Sequence, residues 1–275
     1  GATHFVSSPM GLQNSDRELP LVTFLRNWLL VLRSERVLLI SAEIRREVQK
    51  IPGVATRMAE CDIVGINLAH FSAADDQRAA IRQEFGVPLD SPLVTTIGAL
   101  HPRKSHDLFI ASAAAILQSC PSAYFLIVGD GPMHHQLEAQ AKELGICTRV
   151  IFAGRRHDVP AILAATDVYV KPGVVEGFIG ITVLEAMAAR KPVVAFETAD
   201  VQAAILDGQT GLLVPSRDTG RMAEVILGLL REPRRGAELA QSGAALVATR
   251  FSLAEIASRL ERLYGELACE EPCAA

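Results

Sequence analysis

Two glutamates, Glu176 and Glu185, lie on either side of a glycine-bearing turn between two apolar runs. The apolar run from Asp167 to Val170 predicts a buried strand before the turn, and residues 182–189 predict a helix after it. A loop that leads into a helix N-terminus presents free backbone N–H groups and the positive end of the helix dipole, which suit a phosphate. Carboxylates accept hydrogen bonds from hydroxyl groups, such as those of a sugar and a ribose. The stretch therefore fits a phosphorylated-sugar site, and it fits an ordinary surface loop in front of a helix equally well.

The elements that would position this stretch follow a regular order from residue 93 onwards. Short apolar strands alternate with helices, and this alternation predicts a parallel sheet that is covered on both faces. The fold class is therefore α/β, with a doubly wound parallel sheet. The predicted strands are 93–98, 123–128, 149–152, 167–170, 192–196 and 211–214, and the predicted helices are 105–119, 132–145, 159–165, 182–189, 219–231, 235–249 and 252–268.

This topology predicts where a ligand binds. In doubly wound folds, ligands bind beyond the carboxyl ends of the strands, at the point where the strand order reverses. In the commonest order the first and fourth strands are neighbours at that point. Residues 98–104 would then face residues 173–181, with residues 129–132 on the same edge of the sheet.

The same loops carry the groups that a diphosphate ligand needs. Lys104 and Arg103 supply positive charge, and the helix that begins near Ile181 offers its N-terminus. Glycines allow the backbone to approach a ligand closely, and they occur at Gly129, Gly131, Gly177 and Gly180. Topology and residue chemistry therefore agree on a phosphate-bearing ligand at this edge.

The amino-acid composition and net charge restrict the kinds of partner that the chain is expected to bind. The chain has 275 residues, with 49% hydrophobic and 21% charged residues, which is typical of a globular protein. The net charge of −4 and the lack of a long basic run argue against nucleic-acid binding. The cysteines are odd in number and lack zinc-ligand spacing, so we expect no metal site and a reducing, cytoplasmic location. They are Cys61, Cys120, Cys147, Cys269 and Cys273.

The beginning of the chain is less regular. Residues 28–40 are apolar but are interrupted by Arg33, Glu35 and Arg36, so they do not predict a membrane span. A helix around 20–33 that packs with a strand at 36–40 is the favoured interpretation, and peripheral contact with a membrane surface stays open. The chain begins with Gly1 and not with Met, so we interpret it as a piece of a longer protein.

A series of motifs resembles the C-terminal domain of retaining glycosyltransferases of the GT-B fold, family 4, also called the group 1 glycosyltransferases. The resemblance runs from about Gly98 to Leu267. It includes Gly-Ala-Leu-His-Pro-Arg-Lys at 98–104, Leu-Ile-Val-Gly-Asp-Gly-Pro at 126–132, Arg-Val-Ile-Phe-Ala-Gly at 149–154, Glu-Gly-Phe and Leu-Glu-Ala-Met-Ala within 176–188, Lys-Pro-Val-Val-Ala at 191–195 and Asp-Gly-Gln-Thr-Gly-Leu-Leu-Val-Pro at 207–215.

The resemblance implies transfer of a hexosyl unit from a UDP- or GDP-sugar to an acceptor hydroxyl, with retention. It implies that Glu176 binds the donor sugar, that Glu185 binds the ribose, and that Lys104 neutralises the leaving diphosphate. No metal or other cofactor is demanded, and the acceptor is a sugar, a lipid or a small molecule. The implied catalytic residues are Lys104, Glu176 and His4, and the implied donor-binding residues are Gly98, Arg103, Gly129, Gly177, Phe178, Gly180, Ile181, Thr182 and Glu185.

The chain departs from the family pattern at three points. Eight residues separate Glu176 from Glu185 where the family has seven, and Ile179 looks like the additional one. Ala99 stands where the family often has arginine, and Arg103 is near enough in sequence to substitute for it. The region before the sheet, residues 1–92, is shorter than a complete α/β domain. His4 lies in a segment that resembles the one carrying the family's active-site histidine, and a histidine on the surface near the terminus is the alternative.

These observations predict four regions: a partial N-terminal domain and linker (1–92), a nucleotide-sugar-binding domain (93–251), a crossover helix (252–268) and a tail (269–275). A nucleotide-sugar-binding module or an inactive fragment is the main alternative to an enzyme. A nicotinamide oxidoreductase is disfavoured because the loop after the first strand lacks the glycine pattern. A glycosidase that uses Glu176 and Glu185 is disfavoured because Glu185 is set back on the helix. We interpret the remaining histidines, including His101 and His106, as surface or capping groups.

Overall fold

The computed structural model of the chain describes residues 6–7, 36–39, 58–60, 64–72, 75–174 and 180–269. The chain divides into two compact units. One unit comprises Gly1–Gly65 with Arg250–Ala275, and the other comprises Ile66–Thr249. His4, Glu176, Gly177 and Phe178 lie outside the described residues.

The larger unit is built on a six-stranded parallel sheet with the strand order β6-β5-β4-β7-β8-β9. The strands are β4 (Leu93–Ile97), β5 (Tyr124–Val128), β6 (Val150–Gly154), β7 (Val168–Lys171), β8 (Val193–Phe196) and β9 (Leu212–Val214). The first and fourth of these strands are neighbours, since Val94 pairs with Val168 and Thr95 with Tyr169. The predicted strand reversal between β4 and β7 is therefore confirmed.

Helices connect these strands close to the predicted positions, and two short helices that the sequence pattern does not predict precede β4. They are α1 (Leu68–Ser72), α2 (Arg78–Glu84), α3 (His106–Ser119), α4 (His134–Glu143), α5 (Val159–Ala165), α6 (Ile181–Ala188), α7 (Thr219–Arg231) and α8 (Pro233–Leu246). The last of them begins two residues earlier than predicted, because Pro233 occupies the first helical turn, where a missing N–H costs nothing. It passes into a π-helical turn at Val247–Phe251 instead of continuing to residue 249.

Side chains on the two faces of the sheet enter two separate cores, as the doubly wound prediction requires. Phe125 and Ile127 of β5 pack on one face with Phe109 of α3 and Ile226 of α7. Leu126 and Val128 of the same strand pack on the other face, in a cluster that contains Ile81 of α2 and Ile162 of α5. Successive strand residues point to opposite faces, so one apolar strand serves both cores.

A buried arginine attaches α2 to the sheet. Arg82 is 0% exposed, and it donates hydrogen bonds to the carbonyls of Ala165, Pro88 and Ser91 and to the carboxylate of Asp167. Asp167, just before β7, also accepts from the backbone N–H of Leu93 at the start of β4. The helix α2 therefore packs with the larger unit.

The smaller unit contains a three-stranded parallel sheet with the order β1-β2-β3 and the helix α9 (Leu253–Cys269). Its strands are β1 (Val6–Ser7), β2 (Arg36–Leu39) and β3 (Met58–Glu60). The predicted strand at 36–40 and the predicted helix at 252–268 are therefore present. Among the described helices of the whole chain, none combines the length and the apolar character that a membrane span requires.

Candidate functional site

The loops that follow β4 and β5 are bound to each other by backbone hydrogen bonds at the carboxyl edge of the sheet. The N–H of Leu100 donates to the carbonyl of Asp130 over 3.0 Å, and the N–H of Met133 donates to the carbonyl of Leu100 over 3.0 Å. Gly129 has φ +143°, and a Cβ there would lie 1.9 Å from the carbonyl oxygen of Gly98. The crossing of these two loops therefore requires glycine at position 129, which is a reason that involves no ligand.

Lys104 ends a short 3₁₀ helix, Pro102–Lys104, between β4 and α3. Nδ1 of His101 accepts a hydrogen bond from the backbone N–H of Arg103 and so caps this turn. Lys104 is half-buried and Arg103 is exposed. A Cβ placed on Gly98 would lie 3.8 Å from Cδ of Lys104, so the lysine side chain runs alongside the glycine at the end of β4. The structure thus places Gly98 and Lys104 side by side.

Residues from the β4 loop and from the start of α6 line one small cavity. Lys104 and His106 come from the first loop and helix, and Gly180 and Thr182 come from the region after β7. The two loops that the strand order predicts to face each other therefore meet at a shared cavity.

The N-terminus of α6 lies at this cavity. Gly180 is the N-cap residue and has no side chain with which to cap the helix, so the first N–H groups are left for other acceptors. Ile181 is exposed at the first position of the helix. The hydroxyl of Thr182 accepts a hydrogen bond of 2.7 Å from the hydroxyl of Tyr169, a buried side chain of β7. Tyr169, which the sequence analysis did not identify, therefore fixes the orientation of Thr182.

Glu185 lies one turn inside α6 and is half-buried. Burial raises the pKa of its carboxyl group, because a charged group loses its hydration there. Within the described part of the chain, no hydrogen bond or ion pair satisfies this carboxylate. It therefore presents acceptor oxygens that a ligand could use.

His106 is buried, at 1% exposed, and the prediction that it is a surface or capping group is wrong. Its Nε2 lies 3.2 Å from the carbonyl oxygen of Ala99. Burial, together with the charge of Lys104, lowers the pKa of His106 to about 4, so the imidazole is neutral at pH 7. Helical spacing could have revealed this burial, since Phe109, Ile110 and Ala113 continue the same buried face of α3.

Lys171 was also missed, because the predicted strand stopped at Val170. It is the last residue of β7, and it lines the same cavity as Lys104 and Thr182. Its Nζ lies 3.2 Å from Oδ2 of Asp200. A two-residue alternation from Tyr169 would have placed both side chains on one face of the strand.

Other predicted features have different outcomes. Glu176, Gly177, Phe178 and His4 lie outside the described residues, so their roles and the effect of Ile179 stay predictions. Among the described residues, no group of three or more potential ligands forms a metal site.

Comparison with known proteins identifies the family. Residues 91–232, just over half of the chain, match the family model described as Glycosyl transferases group 1. The chain belongs to this family, as the motifs in its loops predict.

The most similar relatives include two actinobacterial enzymes. The chain is 32% identical over 201 residues to an alpha-D-kanosaminyltransferase of Streptomyces kanamyceticus, a match that covers 72% of this chain and 52% of the relative. It is 33% identical over 188 residues to a GDP-mannose-dependent alpha-(1-6)-phosphatidylinositol monomannoside mannosyltransferase of Mycolicibacterium smegmatis, covering 65% of this chain and 49% of the relative. The chain thus spans about half the length of these relatives.

Solved structures share the fold. HepE from Anabaena, solved in complex with UDP and glucose, matches with a TM-score of 0.82 at 22% identity, over 95% of this chain and 71% of that protein. Sucrose-phosphate synthase from Thermosynechococcus elongatus matches with a TM-score of 0.81 at 24% identity, over 97% of this chain and 68% of that protein. The predicted GT-B type of α/β fold is confirmed.

Proposed function

We propose that this chain binds a UDP- or GDP-sugar and belongs to an enzyme that transfers the hexosyl unit to an acceptor hydroxyl with retention of configuration. Family membership supports glycosyl transfer. One structural observation carries the proposal: Lys104, Gly180 and Thr182 line one cavity in front of α6, and Glu185 lies one turn further along that helix. Retention rests on the resemblance to family 4.

The difficult step in such a transfer is the departure of a charged nucleoside diphosphate. A lysine and an uncapped helix N-terminus stabilise this charge as it develops, because both are already in place before the bond breaks. In our proposal Lys104 and the first N–H groups of α6 hold the diphosphate, with Arg103 nearby on the same loop. These groups take the part that a divalent cation plays in other enzymes, so the reaction demands no metal.

The remaining contacts of the donor follow from the order of groups along α6. Glu185 accepts hydrogen bonds from the ribose hydroxyls, and Glu176 accepts from hydroxyls of the donor sugar. The backbone from Gly177 to Ile181 holds the sugar and the diphosphate, and His4 approaches the donor sugar. The acceptor is a sugar, a lipid or a small molecule, and we place the reaction in the cytoplasm or at a membrane surface.

Calorimetric titration of UDP and GDP into the chain tests the donor site. We expect one of the two nucleotides to bind. We expect Lys104→Ala to lower the affinity for that nucleotide by about tenfold, which corresponds to the loss of a charge-assisted contact. Lys142→Ala is the matched control, since Lys142 is exposed on α4, away from the cavity. If neither nucleotide binds, or if Lys104→Ala binds as tightly as the wild type, the assignment of the diphosphate site is wrong.

A second candidate is a nucleotide-sugar-binding chain that does not itself catalyse transfer. The observation that favours it is Ala99, which stands directly after Gly98 where the family often has arginine. Incubation with UDP-glucose or GDP-mannose, followed by measurement of released UDP or GDP, separates the two. Nucleotide binding without release, in the presence of a panel of sugar and lipid acceptors, would favour the binding chain.

A further inference from the structure

A second lysine lies in the wall of the cavity that contains Lys104. Lys171 ends β7, and its side chain is 6% exposed. Its Nζ donates a hydrogen bond of 3.3 Å to the carbonyl of Gly173 and lies 3.2 Å from Oδ2 of Asp200, whose side chain is 5% exposed. The pair joins the carboxyl end of β7 to the loop that follows β8, its neighbour in the sheet.

The stability of the sheet does not account for a charged pair at this position. Removing two charges from water costs several kcal/mol per ion, and apolar residues of similar volume often serve as well or better. The preceding residues of the same strand, Val168 and Val170, are buried apolar side chains, and so are Val193 and Val194 of β8. We therefore attribute the lysine at the end of this strand to binding of a ligand at the carboxyl edge of the sheet.

The contact between the two charges is poorly directed. Oδ2 of Asp200 is within ion-pair distance of Nζ, yet it accepts no hydrogen bond of acceptable geometry among the described residues. The pair is therefore held mainly by charge. A diphosphate offers several charged oxygens, and hydrogen bonds to such oxygens are about twice as strong as those between neutral groups. A nucleotide in this cavity can therefore compete with Asp200 for the lysine.

We propose that Lys171 is a second cation of the donor site, and that its Nζ leaves Asp200 to bind the diphosphate of the nucleotide. The inference rests on the proposed function and deepens it. Lys104 and Lys171 then approach the diphosphate from β4 and β7, the two strands where the sheet order reverses. Asp200 is the counter-charge of the buried lysine and competes with the phosphate for it.

The test compares nucleoside diphosphates with monophosphates. UDP, UMP, GDP and GMP are titrated into the wild type, Lys171→Met and Asp200→Asn. We expect Lys171→Met to lower the affinity for the nucleoside diphosphate that binds by about tenfold, since the loss of one charged contact corresponds to such a factor. We expect its affinity for the corresponding monophosphate to change by less than about twofold. We expect Asp200→Asn to bind the diphosphate at least as tightly as the wild type, because it releases the lysine.

Lys191→Met is the matched control. Lys191 is half-buried and, like Lys171, donates to a carbonyl, that of Ala164, but it precedes β8 and so lies at the opposite edge of the sheet. We expect this variant to leave the affinity for UDP and GDP unchanged. Thermal melting of every variant reports whether the fold is intact, and Asp200→Asn provides an independent test if Lys171→Met does not fold.

Three results would overturn the inference. The first is a Lys171→Met variant that binds the diphosphate as the wild type does. The second is an equal loss of diphosphate affinity in Lys171→Met and in Asp200→Asn, together with wild-type affinity in the double variant Lys171→Met/Asp200→Leu. The pair would then have a purely structural role. The third is a wild type that binds neither UDP nor GDP, which overturns the proposed function as well. The first two results leave nucleotide binding by the wild type intact, so they refute only the role of Lys171.

Discussion

Glu185 is a carboxylate whose surroundings favour binding over stability. It is half-buried on α6 and has no partner among the described residues, and burial raises its pKa. The folded protein therefore loses stability as the pH rises and Glu185 ionises, and a ligand hydroxyl that donates to the carboxylate recovers part of this loss. A group that weakens the fold while it serves a ligand is typical of a functional position.

We expect Glu185→Gln to raise the free energy of unfolding at pH 7, because it removes a half-buried carboxylate. We also expect it to lower the affinity for UDP or GDP by about tenfold, because hydrogen bonds to charged acceptors contribute about 1.5–3 kcal/mol. Urea denaturation and calorimetric titration measure the two effects. Glu238→Gln on α8, an exposed position, is the control for both. Unchanged nucleotide affinity in Glu185→Gln would remove Glu185 from the proposed ribose site.

His106 gives the chain a defined dependence of stability on pH. Its pKa is about 4 in the folded state and about 6.5 in an unfolded chain. Between these values the unfolded chain binds a proton that the folded chain does not, so the free energy of unfolding falls as the pH falls from 6.5 to 4. The expected loss is about 3 kcal/mol.

We expect His106→Gln to remove this part of the pH dependence, because glutamine does not titrate. Urea denaturation at a series of pH values between 4 and 7 measures it. His157→Gln, at an exposed position, should keep the slope of the wild type. A variant His106→Gln with an unchanged slope would show that another group accounts for the loss at low pH.

At the scale of elements, the two strands beside the candidate site, β4 and β7, are attached to α2 at their amino ends. The Arg82 hydrogen bonds hold α2 against the end of α5 and the start of β7, where Asp167 also binds the N–H of Leu93. These contacts lie at the amino ends of β4 and β7, and the cavity lined by Lys104 and Thr182 lies at their carboxyl ends. The same two strands therefore have a structural attachment at one end and the candidate site at the other.

We expect Arg82→Met to lower the free energy of unfolding by about 3–5 kcal/mol, because it leaves the carbonyls of Ala165, Pro88 and Ser91 without their donor. Asp167 keeps its ion pair with Arg78 in this variant. Guanidinium denaturation measures the loss. Arg235→Met, at an exposed position on α8, should change stability by less than about 0.5 kcal/mol. A loss below about 1 kcal/mol in Arg82→Met would contradict the attachment of α2 through this arginine.

At the scale of the whole molecule, the parts of the proposed donor site come from widely separated stretches of one unit. Lys104 follows β4, Lys171 ends β7, and Glu185 lies on α6. A ligand that touches all three binds only the folded unit, so it stabilises the fold as a whole.

We expect UDP or GDP, at about 100 times its dissociation constant, to raise the free energy of unfolding by about 2.7 kcal/mol. The corresponding rise in the melting midpoint is measured by calorimetry. Because lysines and the helix N-terminus bind the diphosphate in our proposal, the rise should be the same with EDTA as with Mg²⁺. A rise that requires Mg²⁺ would show that a metal takes part in donor binding.

The sequence by itself determined the order of the elements and the edge at which the candidate site lies. Apolar periodicity and turn residues such as Gly145, which caps the helix before β6 with φ +70°, act over a few residues and can be read locally. The commonest doubly wound order then brought Lys104 and Gly180 to one edge of the sheet, and the structure places them there.

Only the tertiary structure decided which side chains near that edge are buried and how they pair. The Arg82–Asp167 contact joins residues 85 positions apart, and Lys171 meets Asp200 across two strands. The burial of His106 depends on the neighbours that α3 acquires when it packs on the sheet. Such contacts depend on three-dimensional packing between distant segments, whereas local patterns encode only the conformation of each segment.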